Sequence, residues 1–338
     1  MISWLWGSSP TEIAFFVPGP PLPVGAKDQH DYVDHIIHAY REAAEKQTRW
    51  PAGKLSRDLP IALDAAFIFA SRGKAGQLMV ANPYHTALIK LVNDALKNPG
   101  GPLHDDAQIS VGSRIKYHHR HVNGVAIRLR TIESKTAPQP LRSFLSHIAA
   151  MTREPMVVNA PQANGTTPPR LVFFAEAPPV SGLGGAQGAL FREAIVNAFQ
   201  EAASRLTAEA LTNVQAWRLA AAFVFQDHAR AGQLVLDKPD HDNLAAALGD
   251  SLKKNGVFEF HRSRISMAEE MKIYGTRAGV LVVMEPLDGQ NLDKTKPIDW
   301  PALLAKFQAI AAPSDVAAPR VPRMAAPPAV QLFQPKAA

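Results

Sequence analysis

The sequence predicts an α+β protein built from two tandem copies of one domain, each ordered β-α-β-α-β-β, with a mixed sheet and its helices on one face. Three observations carry that prediction. The stretch Ala65–Lys116 recurs without a gap as Ala221–Lys272, 156 positions later. Both copies keep Ala-Gly-Gln-Leu (Ala75–Leu78, Ala231–Leu234), a Phe-x-Phe (Phe67–Phe69, Phe223–Phe225) and a proline (Pro83, Pro239) at matched places. A length of 338 residues exceeds one compact domain and suits two domains of about 120 residues with connectors.

Glu12–Val17 reads as a strand that runs into Pro18-Gly-Pro-Pro-Leu-Pro23, which cannot continue a sheet interior. Its counterpart is Leu171–Phe174, followed by the Pro/Gly-rich run Pro178–Gly185. Val33, Ile36, Ile37 and Tyr40 give helical spacing over Asp31–Thr48, and Phe191, Ile195, Val196 and Phe199 do the same over Leu190–Leu206. Strands are expected at Ile61–Phe69 and Trp217–Phe225, then helices at His85–Lys97 and Asn243–Lys254, both ending near glycine. Two last strands per copy fall at Ile109–His119 and Val122–Arg130, and at Ile265–Tyr274 and Ala278–Met284.

The domains therefore span 11–132 and 170–288. Between them, 133–169 is a polar, proline-containing linker with a short apolar helix near Leu141–Met151, long enough for the copies to pack as an intramolecular pseudo-dimer. Residues 289–338 hold a short helix around Trp300–Ile310 and an Ala/Pro-rich tail with too little apolar content to fold alone.

A hydrophobic fraction of 46% can build two cores. The net charge of +6 and a pI near 9.5 suit a polyanionic partner, because each neutralised phosphate releases condensed counterions. With no cysteine there is no disulfide framework and no thiolate metal site, so a metal must be held by oxygen or imidazole. The opening residues lack the basic region and apolar core of a signal peptide, and no apolar run approaches about 18 residues. A soluble cytoplasmic protein without membrane contact is expected.

The copies have diverged at their carboxylates. The second reads Lys238-Pro-Asp-His-Asp-Asn-Leu244 where the first reads Asn82-Pro-Tyr-His-Thr-Ala-Leu88. The first reads Leu103-His-Asp-Asp-Ala-Gln-Ile109 where the second reads Glu259-Phe-His-Arg-Ser-Arg-Ile265. Hydrolysing a phosphodiester needs a cation to neutralise the phosphate oxygens and acidify the attacking water, and Mg²⁺ does so when two or three carboxylates leave positions open. Asp240 and Asp242 would project to one side at the mouth of the following helix. The plainer alternative makes Asp242 the helix N-cap and Asp240 a turn residue, with Asp105 and Asp106 a solvated turn and Lys90 a surface lysine.

On these motifs the chain resembles the RusA-type Holliday junction resolvases, dimeric Mg²⁺-dependent endonucleases that cut four-way DNA junctions. The likeness covers both halves. Phe16-Val-Pro-Gly-Pro-Pro-Leu-Pro23 is similar to the family's opening strand and proline loop, Pro239–Asn243 to its Pro-Asp-x-Asp-Asn, Lys90 to its helix lysine, and Asp105–Ile109 to its Asp-Asp-x-Gln-Ile. The resemblance implies a fold of two RusA-like domains. It implies that Asp240, Asp242, Asp105 and Asp106 bind Mg²⁺, or Mn²⁺ in its place, and that Lys90 assists at the scissile phosphate. Tyr84 and Thr86 replace one pair of aspartates, while His261, Arg262 and Ala246 replace the other residues, so neither half holds a full set. Two outcomes follow: one composite centre shared by the copies, or a catalytically inactive binder of branched DNA. A scaffold that docks a protein partner is a third reading, and further self-association is left open.

Arg72, Lys74, Arg114, Lys116, Arg120, Arg230, Lys238, Arg262, Arg264 and Lys272 are the expected DNA-backbone contacts, which position a protein without reading sequence. His118, His119 and His121 read as surface or phosphate contacts rather than zinc ligands, since alternate strand residues face opposite ways.

Overall fold

The computed structural model describes residues 11–51, 53–132, 171–204, 206, 211–257 and 260–287. The expected linker helix near Leu141–Met151 and the expected tail with its helix near Trp300–Ile310 lie outside them. The described residues form a mixed α+β fold with one eight-stranded mixed sheet and four α-helices. In chain order these are β1 (Glu12–Pro18), α1 (Gln29–Glu45), β2 (Ile61–Ala70), α2 (His85–Lys97), β3 (Ile109–His119), β4 (Gly124–Thr131), β5 (Leu171–Ala175), α3 (Gly185–Ala203), β6 (Ala216–Gln226), α4 (His241–Leu252), β7 (Ile265–Gly275) and β8 (Gly279–Leu287).

The strand order is β1-β4-β2-β3-β7-β6-β8-β5, which reads alike from either end when each strand is matched to its counterpart in the other copy. β2 and β3 run parallel, as do β6 and β7, because a helical crossover joins each pair. The remaining pairings are antiparallel. β3 and β7 join the two halves through Val111↔Met271 to Ile115↔Met267, and the central pair, Ser113↔Glu269, stands 156 positions apart. Matched residues thus face each other at the middle of the sheet.

Alternation along the strands divides the apolar side chains between two faces. Leu63, Ala65 and Phe67 of β2 pack under Leu88, Leu91 and Val92 of α2 and Ile36 and Tyr40 of α1. Leu219, Ala221 and Phe223 of β6 do the same under Leu244, Leu248 and Leu252 of α4 and Phe191, Ile195 and Phe199 of α3. Ala222, Val224, Met271 and Ile273 form a smaller cluster on the other face. α2 and α4 also touch each other, so the two halves meet in the helix layer as well as in the sheet.

Three helix starts differ from expectation, α1 beginning at Gln29 rather than Asp31. α3 begins at Gly185, within a glycine-rich run read as loop, because Gly188 lets the chain pack tightly: a Cβ there would lie 2.5 Å from the Leu183 carbonyl carbon. α4 begins at His241 rather than Asn243, which draws Asp242 into its first turn.

Candidate metal centre and nucleic-acid interface

Two segments from different copies build one acidic cluster. The first is the 3-10 turn Asp106–Gln108, for which Asp105 is the N-cap. Asp105 Oδ1 accepts the Ala107 N–H at 2.9 Å, and Gln108 Oε1 accepts the Asp105 N–H at 3.3 Å. This reciprocal capping sets the turn and engages one Asp105 oxygen, as the plainer reading expects. Asp106, next in the chain, is buried. The second segment follows the cis peptide Lys238–Pro239 and places Asp240 at the N-cap of α4, with Asp242 in its first turn. Asp240 makes no side-chain cap bond, and Asp242 is not the N-cap, so the capping alternative does not account for this pair.

Carboxylate oxygens of Asp105, Asp106 and Asp240 lie within 4.8 Å of one another. Asp242, only 2% exposed, joins from the same helix start, its Oδ2 3.9 Å from Lys90 Nζ. Lys90 also reaches Asp94 Oδ2 at 3.4 Å. Lys97 Nζ donates to Asp106 Oδ2 at 2.7 Å and pairs with Asp94 Oδ1 at 2.9 Å. Lys238 lies at the rim, 3.9 Å from Asp105 Oδ2 and 3.8 Å from Asp240 Oδ2. The structure thus brings Asp105, Asp106, Asp240, Asp242 and Lys90 into one neighbourhood.

Electrostatics within the cluster are uneven. Burial raises the Asp240 carboxyl above its ordinary value, and the charges of Asp106, Asp105 and Asp242 add to this against Lys238. Burial likewise raises Asp242, with Lys90 opposing and Asp106 reinforcing. Burial also works against the Asp106 charge, but the hydrogen bond and positive charge of Lys97 prevail and hold its carboxyl below the ordinary range. Asp240 Oδ1 and both Asp242 oxygens are buried with no hydrogen-bond partner. Buried carboxylate oxygens that repel one another and lack donors are the groups a hard cation satisfies. An all-oxygen set without thiolate or imidazole suits Mg²⁺ or Mn²⁺ rather than zinc.

A buried lysine holds the two segments together, and its counterpart does the same at the matched place. Lys272 Nζ donates to Asp237 O at 3.0 Å and Pro239 O at 3.3 Å in the loop before α4, and to Ala107 O at 2.8 Å in the turn of the other copy. Lys116 Nζ reaches the matched carbonyls Ala81 O at 2.9 Å, Pro83 O at 3.1 Å and Ser263 O at 3.2 Å. Desolvation lowers their ammonium groups to about 8 for Lys272 and about 7 for Lys116. Ser110 Oγ to Val235 O at 2.8 Å and Ser266 Oγ to Met79 O at 3.0 Å add a second matched pair of cross-links. Beneath the cluster the Arg114 guanidinium pairs with Glu270, and His241 Nε2 lies 3.4 Å from Glu270 Oε2. Gly112 makes room for this: a Cβ there would fall 2.4 Å from His241 Cε1.

Three expected DNA contacts are corrected by this arrangement. Lys116, Lys272 and Arg114 are buried inside the joint between the copies, the lysines on backbone carbonyls and Arg114 on Glu270, where no phosphate reaches them. A β-strand charge reads as surface in the sequence, but loop and turn carbonyls of both copies close over Lys116 and Lys272, and Glu270 of the other copy over Arg114. Arg264 is half-buried, donating to Thr212 O at 3.1 Å and Val214 O at 3.3 Å. Arg262 lies over the Tyr84 ring, 4.6 Å from its centre, and pairs with Asp250 at 3.0 Å. Arg72, Lys74, Arg120, Arg230 and Lys238 are exposed. His119 Nδ1 accepts the backbone N–H groups of His121 and Val122, which makes it a hairpin cap.

Lys97, Asp94, His241 and Glu270 escaped the sequence reading. Lys97 lies two helical turns after Lys90 and three residues after Asp94, so its place on the same helix face was visible. Nothing local marked Glu270, whose partner Arg114 is 156 positions away.

No protein-family model matches the chain, and no curated protein matches it. No helix among the described residues is long and apolar enough to cross a membrane.

Proposed function

We propose that the chain is a divalent-metal-dependent, structure-specific endonuclease that nicks Holliday junctions or other branched DNA in the cytoplasm. In this reading it is a tandem relative of the RusA-type resolvases whose copies act as an intramolecular pseudo-dimer. One observation carries it: Asp105 and Asp106 of the first copy meet Asp240 of the second within 4.8 Å, beside a buried Asp242 whose oxygens lack donors.

Asp106, Asp240 and Asp242, with Asp105 Oδ2 at the rim beside Lys238, would hold Mg²⁺ or Mn²⁺. When bound, that ion neutralises the scissile phosphate and acidifies a water. Lys97 keeps Asp106 ionised, and Lys90, 3.9 Å from Asp242 and partly exposed, is placed to meet a phosphate oxygen. Arg72, Lys74, Arg120, Arg230 and Lys238 supply exposed positive charge for the backbone of a branched substrate. One centre per chain makes one nick per binding event, so paired incisions require a second molecule or a second visit.

The runner-up is an inactive binder of branched DNA, favoured by the replacement of all four carboxylates at the matched place by Tyr84, Thr86, His261 and Arg262. Incubation of the full chain with a labelled synthetic four-way junction decides between them. Nicking that requires Mg²⁺ or Mn²⁺ supports the nuclease, salt-sensitive binding without nicking leaves the binder, and no binding overturns both.

A further inference from the structure

Beside the acidic cluster lies a cleft of about 520 Å³ whose lining includes Arg57, His104, Asp105, Lys238, Arg230 and Tyr274. It shares Asp105 and Lys238 with the cluster, so whatever occupies it touches the same edge of the metal centre. Its volume falls in the range of small-ligand sites of about 300–1,000 Å³. Its most unusual member is Arg230. The side chain is half-exposed yet held on three sides: Nε donates to Asp227 Oδ2 at 2.7 Å, Cζ lies 3.9 Å from the centre of the Tyr274 ring, and Nη1 is 4.0 Å from Asp237 Oδ2. Asp227 is itself fixed by the Ala229 and Arg230 N–H groups at 3.0 Å each, and Tyr274 Oη donates to Asp237 Oδ2 at 3.2 Å. Ordering a long side chain costs about 1.5–2 kcal/mol, so these contacts set the guanidinium plane before any ligand arrives.

We propose that this cleft seats the nucleotide adjoining the scissile phosphate, its base lying on the open face of the Arg230 guanidinium and its phosphate near Arg57 and Lys238. Guanidinium planes stack nucleobases without regard to sequence, and the Tyr274 ring behind fixes the plane in advance. Arg57, Lys238 and Arg230 offset the strand's charge against the lining carboxylates Asp58 and Asp237, while Asp105 marks the boundary with the metal centre. The inference rests on the nuclease reading and adds to it the place where the strand is gripped.

The test is the affinity of the full chain for a fluorescein-labelled four-way junction, read by anisotropy with Ca²⁺ replacing Mg²⁺. Arg230→Ala is expected to weaken binding at least fivefold, the lower end of what losing one stacked base causes. Arg230→Lys should recover no more than a small part of that loss, because an ammonium offers charge but no plane. Mn²⁺ affinity and melting temperature, measured on the same variants, should stay at parent values and so exclude damage to the neighbouring cluster. Parent-like binding by Arg230→Ala, or full recovery by Arg230→Lys, overturns the base seat while leaving the nuclease reading intact. Absence of junction binding by the parent chain removes both. Millimolar dAMP forms a second arm: Arg230-dependent dAMP binding, with junction affinity unaffected by Arg230→Ala, would make the cleft a free-nucleotide site and overturn the proposal.

Discussion

The cluster around Asp106 and the matched place around Arg262 share a scaffold and carry opposite charge. Asp105, Asp106, Asp240, Asp242 and Lys90 in the one correspond to His261, Arg262, Tyr84, Thr86 and Ala246 in the other, while Lys97 and Asp94 keep their matches in Lys253 and Asp250. Around Asp106, lysines neutralise crowded carboxylates. Around Arg262, an aromatic face and Asp250 neutralise a single guanidinium. The lysines that anchor the backbone, Lys272 and Lys116, contact matched carbonyls at both places. The difference teaches that the architecture of each site is maintained by groups other than its candidate metal ligands, so side chains at one place could change sign without disturbing the frame.

The largest effect that could break the comparison is on nicking. Asp106→Asn and Asp240→Asn, taken from different copies, should each lower Mg²⁺-dependent nicking of a four-way junction about a thousandfold while junction affinity changes little. Arg262→Asn, the matched change, should leave the nicking rate within about threefold of the parent. Equal losses at Asp106 and Arg262 would mean that the two places are not functionally distinct.

The anchors sharpen the comparison next. Lys272→Met and Lys116→Met each remove a buried ammonium from three carbonyls and should each lower unfolding free energy by about 2–4 kcal/mol in denaturant titration. Only Lys272→Met loosens the loop that carries Asp240 against the turn that carries Asp106. Calorimetry should therefore show Mn²⁺ affinity falling about tenfold for Lys272→Met alone, with Lys116→Met as the matched control.

The smallest effect concerns pH. Folding raises the Asp240 carboxyl, so above the unfolded value of about 4 the folded chain holds more protons than the unfolded one, and stability falls as pH rises through that window. Ionised Asp240 thus weakens the metal-free protein at pH 7. Asp240→Asn should raise its melting temperature by about 2 °C, roughly 1 kcal/mol, the reverse of what removing a favourable contact does. The same shift makes protons compete with the cation, so Mn²⁺ affinity of the parent should decline on acidification well before the ordinary aspartate range is reached. A parent that is stabilised by ionising Asp240 would contradict the crowding described at this cluster.

Much of the fold was legible. α2 was read with its bounds at His85–Lys97, and most strands fell within two residues of their ends, because alternation and helical spacing are local consequences of which side chains must be buried. The start of α4 was misread by two residues, since Asp242 is as good a cap as Asp240 and only packing selects between them. Asp105, Asp106, Asp240, Asp242 and Lys90 were singled out from motifs and spacing, and their convergence in one composite centre was one of two outcomes left open, because proximity arises from contacts between residues more than a hundred positions apart. Lys116, Lys272 and Arg114 failed for the same reason: strand charges look solvated until segments distant in sequence close over them.

By itself the sequence determined the duplication, the order of elements in each copy, and which carboxylates each copy kept, for these follow from the residues and their local periodicity. The tertiary structure alone decided that β3 pairs with β7 about Ser113 and Glu269, and that buried lysines join the loop of one copy to the turn of the other. That choice brings Asp240 to Asp105 and Asp106, because convergence of distant charges depends on strand register and buried hydrogen bonds, and neither is written at the positions that converge.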